Sequence, residues 1–423
     1  MKVLWLVNIV LPAAARERGL AELNVGGWLT GQLDALVATG VGVTVCSPCG
    51  DVAQTTEVNA GGARHILIPA SGLNEISFCD IIESEEPDLI HIFGTEYAMC
   101  LEMVRAANAA GIPCVVSLQG IISVYAEHYL DGIPESYKRV SLLRRVMHKY
   151  RKTDVMLYRQ QNFRKRGERE REALKYARNV IGRTAWDRAC ALEINPNLRY
   201  FHVNENLRDC FYGGEAWQYE ACEPHTIFIS QANYPIKGLH QLLKAMPAIL
   251  SDYPDTQVYI AGYPPISYNN AVLDRGVDYF FEYQGYIHKL IRKLKLAPHI
   301  KWLGPLDAEG MRAQYMKANA FVCPSSIENS PNSVGEAMIL GVPVVASEVG
   351  GTPSMLTGGE DGILYDFYDT DALARAVCSI FSDTKKAAEY GAHARARALE
   401  THDRKENTKA LLNVYTALSR EMK

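Results

Sequence analysis

Residues Ser326 to Pro353, SIENSPNSVGEAMILGVPVVASEVGGTP, decide how the rest of the chain is read. The string reads as loop, helix, glycine turn, strand and glycine-rich turn. Glu328 stands in the loop. Asn332 or Ser333 offers an N-cap, with Pro331 just before it. Ala337, Met338, Ile339 and Leu340 carry the helix on. Gly341 and Pro343 stop it, because Gly takes the left-handed cap and Pro cannot extend the ladder. Val342 to Ser347 is a short apolar run, as in a strand buried on both faces. Gly350 and Gly351 follow at its carboxyl end, where open α/β sheets bind ligands.

Two carboxylates frame the helix start. Glu328 lies before it and Glu336 about one turn inside it. The N–H groups between them, from Asn329 and Ser330 through Asn332 and Ser333, make a candidate anion site. A phosphate there, with a carboxylate on each side to hold hydroxyl groups, suits a nucleotide-diphosphate sugar. The pyrophosphate would rest on the helix, the ribose on one Glu and the sugar on the other. Either Glu alone reads more simply as a solvated carboxylate, so the weight rests on the whole string.

That string resembles the signature of retaining GT-B glycosyltransferases of family 4, the glycosyl transferases group 1. The matching positions are Glu328, Glu336, Ala337, Met338, Gly341, Pro343, Val344, Ala346, Ser347, Gly350, Gly351 and Pro353. The resemblance implies that Glu328 contacts the donor sugar and Glu336 the ribose hydroxyls. Ser354 stands where the family often has another Glu.

Upstream, Lys237-Gly238 opens a helix from Leu239, and Lys237 reads as an exposed cation able to neutralise a diphosphate. The family pattern has an Arg several residues before this Lys. Gln231 and Ala232 occupy those places here, so one phosphate contact is missing or comes from elsewhere. Near the N-terminus, Val3 to Val10 reads as a central strand, followed by a loop over Ala13 to Asn24. Gly26 and Gly27 then open a helix to about Ala38. Strand, glycines, helix is the phosphate-facing geometry of doubly wound folds, though spacing alone fits a simple turn equally well. The resemblance places these glycines beside the donor phosphates. It also implies a sugar-contacting His after the strand at Pro113, where this chain has Gln119. An amide still hydrogen-bonds a sugar hydroxyl but cannot act as a cation or general acid. His91 reads as a strand residue.

The remaining alternation of apolar runs and helical stretches implies an α/β protein of 423 residues with two Rossmann-like, doubly wound domains. The resemblance makes it a GT-B fold, its two domains facing across a cleft. The expected division is 1–205 for an acceptor-side domain and 206–404 for the nucleotide-sugar domain, with a terminal helix at 405–423 returning to the first. Tyr263 to Tyr286, rich in Pro, Tyr and Asn, reads as a loop. Glu205 and Arg208 fall in an irregular connection and are minor candidates for a cleft.

Composition excludes several other classes. No apolar run approaches the roughly 20 residues of a membrane span. Ten cysteines without paired framework spacing fit a reducing, cytoplasmic compartment. Cys46 and Cys49 form a C-x-x-C, but no second pair completes a zinc site. Asp369-Thr-Asp371 reads as a helix cap, not a metal–diphosphate motif. Met1 to Ala15 has a Lys, an apolar run and an Ala-x-Ala, as leader peptides do; the same run reads as the first strand of an α/β domain.

Lys138 to Lys175 stands out. It carries fourteen Lys or Arg against four Asp or Glu, a net of +10 in a chain whose net charge is −4. Leu142, Leu143, Val146, Met147 and Tyr150 recur there at helical spacing. The segment reads equally as a solvated helix pair and as a face for an anionic membrane, which would make the protein peripheral. Nucleic acid ranks third and is not expected, since no RNA or DNA motif appears.

The function expected is retaining transfer of a sugar from a nucleotide-diphosphate donor to a glycan or lipid-linked acceptor. Family frequency favours a UDP-sugar, then GDP-mannose. No metal and no other cofactor is expected, because Lys237 and the helix N–H groups would stabilise the leaving phosphate. The alternatives are a sugar-nucleotide epimerase or hydrolase of the same fold, and a non-catalytic nucleotide-sugar-binding protein.

Overall fold

The computed structural model describes residues 1–21, 26–71, 73–138, 156–264 and 282–420. The chain divides into two compact units. One comprises Met1–Ser123, Lys165–Asp209 and Thr401–Lys423, the other Val124–Arg164 and Cys210–Glu400.

The first unit is built on an eight-stranded sheet. Its strands are β1 (Lys2–Leu6), β2 (Gly42–Cys49), β3 (Thr56–Ala60), β4 (Ala63–Pro69), β5 (Leu89–Phe93), β6 (Cys114–Ser117), β7 (Asn179–Gly182) and β8 (Arg199–His202). They lie in the order β3-β4-β2-β1-β5-β6-β7-β8. All neighbours are parallel except the β3–β4 hairpin. Val3, Leu4, Trp5 and Leu6 are wholly buried, as a central strand covered on both faces requires. The run read from Met1 is therefore this strand.

The last described helix, Arg404–Arg420, packs on this sheet through Tyr415. The Trp5 indole N–H donates to the Tyr415 hydroxyl at 3.0 Å, and that hydroxyl is 2.6 Å from His91 Nδ1. His91 Nε2 lies 2.7 Å from Ser117 Oγ. Trp can only donate, so the Tyr hydroxyl donates onward to Nδ1, and Nε2–H donates to Ser117. His91 is thus a neutral core residue, as the sequence implies, and burial pushes it down to about 3.

The second unit carries β9 (Thr226–Ile229), β10 (Gln257–Ile260), β11 (Ile300–Trp302), β12 (Ala320–Cys323), β13 (Val344–Ser347) and β14 (Ile363–Tyr365). Their order is β11-β10-β9-β12-β13-β14, parallel throughout. From β9 the chain winds outward to β10 and β11, then returns to lay β12 on the other side of β9. The loops leaving β9 and β12 therefore diverge at the topological switch point, the crevice where such sheets bind ligands.

Several local readings are corrected. A helix, Pro12–Glu17, takes up the start of the expected Ala13–Asn24 loop, whose residues 22–24 fall outside the described residues. Glu282–Lys293 is a helix, where the Tyr263–Tyr286 stretch reads as a loop; residues 265–281 of that stretch lie outside the described residues. The edge strands β3 and β8 escaped notice because TEVNA and RYFH are short and half-exposed.

Of the basic stretch, residues 139–155 lie outside the described residues, and Met156–Tyr176 is a helix. It is anchored by a buried acid: Glu170 accepts hydrogen bonds from Thr95 Oγ1 and from the backbone N–H groups of Ile122 and Ser123. Cys46 and Cys49 are free and buried, and Asp369 caps a helix by accepting from Ala372 N. Among the described residues, no helix is long and apolar enough to cross a membrane.

Candidate active site

In the second unit the loops leaving β9 and β12 are pinned together. After β9 the chain makes one 3-10 turn, Pro235–Lys237, closed by Gly238 at φ +68°. A Cβ on Gly238 would stand 1.6 Å from the Pro324 carbonyl oxygen, so only Gly lets the turn lie against the loop after β12. Ser326 N–H donates to the Ile236 carbonyl at 2.8 Å across the same junction.

That contact brings Lys237 to Glu328, 91 residues away in the chain. Nζ lies 2.6 Å from Oε1, and the side chains are only 18% and 8% exposed. Burial acts against the Lys237 charge, but the Glu328 carboxylate outweighs it and holds the ammonium well above its usual range. Lys237 also lies over the Tyr234 ring, 5.9 Å from its centre. Lys237 is therefore not the exposed cation that the sequence leads one to expect. Gln231 is exposed and Ala232 buried at the places of the absent Arg.

The backbone around Glu328 is held from the other side by the turn after β13. Gly350 has φ +52°, and a Cβ there would stand 2.1 Å from the Glu328 carbonyl oxygen. Gly351 N–H donates to that same oxygen at 2.9 Å. Gly350 permits this close backbone approach, which holds the Glu328 main chain in place.

The helix after this loop runs Asn332–Leu340. Its cap position is Pro331, with no side-chain cap, in place of Asn332 or Ser333. A Pro has no hydroxyl or carboxamide to cover the first turn, so the N–H groups of Asn332 and Ser333 begin the helix. They precede its first internal bond, from Val334 N–H to the Pro331 carbonyl. Asn329 and Glu336 are buried at 1% and 5% exposure; Ser330, Asn332 and Ser333 are half-buried. The helix ends at Gly341, φ +81°, as read.

The sequence reading missed three residues here. Ser325 Oγ donates to Glu328 Oε1 at 2.8 Å. Burial, with Glu328 next, pushes the Tyr125 phenol well up, and that phenol is bonded to the Asn329 backbone. Tyr234 flanks Lys237. Only Ser325, three residues before Glu328, offered any sequence signal. Tyr125 lies in a segment that also lends the His128 carbonyl to Ser326 Oγ at 2.9 Å.

The other expected site residues belong to the first unit. Gly26, at φ +71°, precedes the helix Gly27–Val37. A Cβ on Gly27 would meet the Arg208 side-chain stem at 3.1 Å. Gln119 follows β6 and donates from Nε2 to Glu205 Oε1 at 2.7 Å. Glu205 Oε2 in turn pairs with Arg183, 2.5 Å away, both nearly buried. Glu205 is thus the partner of Gln119 and Arg183.

Residues 218–397 match the model of the glycosyl transferases group 1, the family whose signature the Ser326–Pro353 string resembles. Among curated proteins, a GDP-mannose-dependent alpha-(1-6)-phosphatidylinositol monomannoside mannosyltransferase of Mycolicibacterium smegmatis is 28% identical over 173 residues. The match covers 39% of this chain and 41% of that protein, so the chain spans less than half of that relative's length. Among solved structures, sucrose-phosphate synthase from Thermosynechococcus elongatus superposes with a TM-score of 0.69 at 19% identity, covering 99% of this chain and 98% of that one. The Anabaena protein Alr3699/HepE, in complex with UDP-glucose, gives 0.66 at 17% identity, covering 99% and 100%. At these identities the likeness concerns the fold, which is GT-B with two Rossmann-like parallel sheets.

Proposed function

We propose that this chain is a retaining hexosyltransferase that moves a sugar from a nucleotide-diphosphate donor to a hydroxyl of a glycan or lipid-linked acceptor. The observation that carries the reading is the meeting of Lys237 and Glu328 at the switch point of the second sheet, beside the start of helix Asn332–Leu340. A cation, an acceptor carboxylate and a run of helix N–H groups are what a sugar diphosphate needs at one place. The second unit would hold the donor, and the first the acceptor.

In this reading Lys237 and the N–H groups of Asn332 and Ser333 bind the diphosphate and stabilise the charge that grows as the anomeric C–O bond breaks. Glu328 accepts from sugar hydroxyls and Glu336 from the ribose. Asn329 and Ser330 line the sugar. A new C–O bond forms to the acceptor oxygen on the same face, and the leaving phosphate takes the acceptor's proton. Gly26 and Gly27 would allow backbone approach to the donor phosphates, and Gln119, oriented by Glu205, would bond a sugar hydroxyl. No metal is needed for the charge, so a chelator should leave turnover unchanged.

A UDP-sugar is the first donor to test and GDP-mannose the second, in line with the ligand of the Anabaena structure and the donor in the mycobacterial relative's name. The test is a thermal-shift screen against nucleotide sugars, followed by NMR of the product formed with an acceptor panel. Retention of anomeric configuration supports the proposal; no stabilisation by any nucleotide sugar overturns it. Rapid epimer or free-sugar formation without acceptor would favour the epimerase or hydrolase reading. Tight binding without turnover would favour a binding protein. We place the protein in the cytoplasm, with a peripheral membrane contact through 138–175 if the acceptor is lipid-linked.

A further inference from the structure

We infer that Glu328 also discriminates between the intact nucleotide sugar and the nucleoside diphosphate left after transfer, by competing with the phosphates for Lys237. The inference rests on the reading of the site proposed above.

Three observations carry it. First, Lys237 is already neutralised, its ammonium 2.6 Å from Glu328 Oε1, with both side chains largely shielded from water. Any phosphate that uses Lys237 must share it. Second, Ser325 Oγ donates to the same oxygen, Oε1, at 2.8 Å. Among the described residues, no hydrogen bond reaches Oε2, so that oxygen is the one left to accept from a ligand. Third, the carboxylate is tethered at both ends. Its main-chain carbonyl accepts from Gly351 N–H and packs on Gly350, and its Oε1 takes both Lys237 and Ser325.

The two ligands meet this arrangement differently. In the nucleotide sugar, the β-phosphate is esterified and the sugar's hydroxyls can donate to Oε2. Each such bond is charge-assisted and offsets the sharing of Lys237. In the free diphosphate the sugar is gone, and the β-phosphate carries one more negative charge near neutral pH. No hydroxyl is left to donate to Oε2. A fixed carboxylate then faces a bare anion, with one lysine between them. Glu328 therefore favours the substrate and hastens loss of the product.

The test compares wild type with Glu328→Gln, which keeps the side chain's shape and removes its charge. Affinities for UDP, GDP, UDP-glucose and GDP-mannose are measured by calorimetry at one pH and ionic strength. Glu328→Gln should bind the nucleoside diphosphate about tenfold more tightly or better, the scale seen for close charge pairs. The matching nucleotide sugar should gain nothing, so the preference for it should fall at least as much. A variant that binds the diphosphate no more tightly than wild type overturns the inference and leaves the proposed function standing. A wild type that binds none of the four ligands overturns both. A measurement on the unaltered protein keeps the inference testable if the variant does not fold. The β-methyl ester of UDP, which lacks the extra charge, should bind wild type more tightly than UDP. Equal or weaker binding overturns the inference.

Discussion

Replacing Lys237 by Ala tests the site and the energetics of its ion pair together. The variant removes the counter-ion of Glu328, whose side chain is 8% exposed. Breaking a fully buried pair by removing one partner costs about 3–5 kcal/mol, because the remaining charge is stranded. Two features reduce that figure. Lys237 is itself 18% exposed, and Ser325 continues to donate to Glu328 Oε1. A cost of about 2 kcal/mol follows, below the range for complete burial. For a unit of roughly 200 residues that lowers the melting temperature by about 4–8 °C. Turnover should fall on the order of 10²-fold or more, as when an oxyanion-type donor is removed. Calorimetric melts give the first number, and steady-state rates well below the melting point give the second. The double variant Lys237→Ala/Glu328→Gln should regain at least half of the lost stability, since no charge is stranded, and none of the turnover. Wild-type stability in the single variant, or no recovery in the double, would refute the stranded-charge argument. Full turnover in the single variant would refute the mechanism.

Four further outcomes are expected. Glu336→Gln should weaken nucleotide binding, because a charge-assisted hydrogen bond is replaced by a neutral one about half as strong; calorimetric affinity equal to wild type would remove Glu336 from the site. Gly350→Ala would put a Cβ 2.1 Å from the Glu328 carbonyl at φ +52°, so it should cost at least the roughly 1–2 kcal/mol of a left-handed residue and displace Glu328, cutting turnover more than tenfold. His91 and His240 are held neutral by burial, both pushed down to about 3, so below pH ~6.5 the unfolded chain binds more protons and stability is lost as pH falls towards 3. At pH 4.5, two units below the unfolded value, each should cost on the order of a few kcal/mol, and a urea midpoint unchanged from pH 7 would contradict this. Finally, docking through 138–175 predicts co-sedimentation with anionic but not neutral vesicles, lost in high salt, at about 1 kcal/mol per engaged cation; no binding at low salt leaves the solvated-helix reading.

The sequence by itself determined what depends on short-range pattern. Apolar runs marked the core strands, Gly341 and Asp369 marked helix ends, and the Ser326–Pro353 string carried the resemblance to the glycosyl transferases group 1, because each is written in consecutive residues. Through that string and the Lys237-Gly238 turn it also pointed to Glu328, Glu336 and Lys237 as candidates. Only the tertiary structure decided what those residues touch. That Lys237 is paired and largely covered follows from β9 and β12 being neighbours at the switch point, with Gly238 seated on Pro324. Nothing near Lys237 in the chain reports this. Ser325, Tyr125 and Tyr234 escaped for the same reason: a hydroxyl or phenol acquires a role only when a long-range contact places it beside a charge. Glu205 likewise reads as a loop acid until β6, β7 and β8 align and bring it to Gln119 and Arg183. Strand pairing converts sequence distances of tens to hundreds of residues into hydrogen-bond distances, and that conversion is set by how the whole sheet packs.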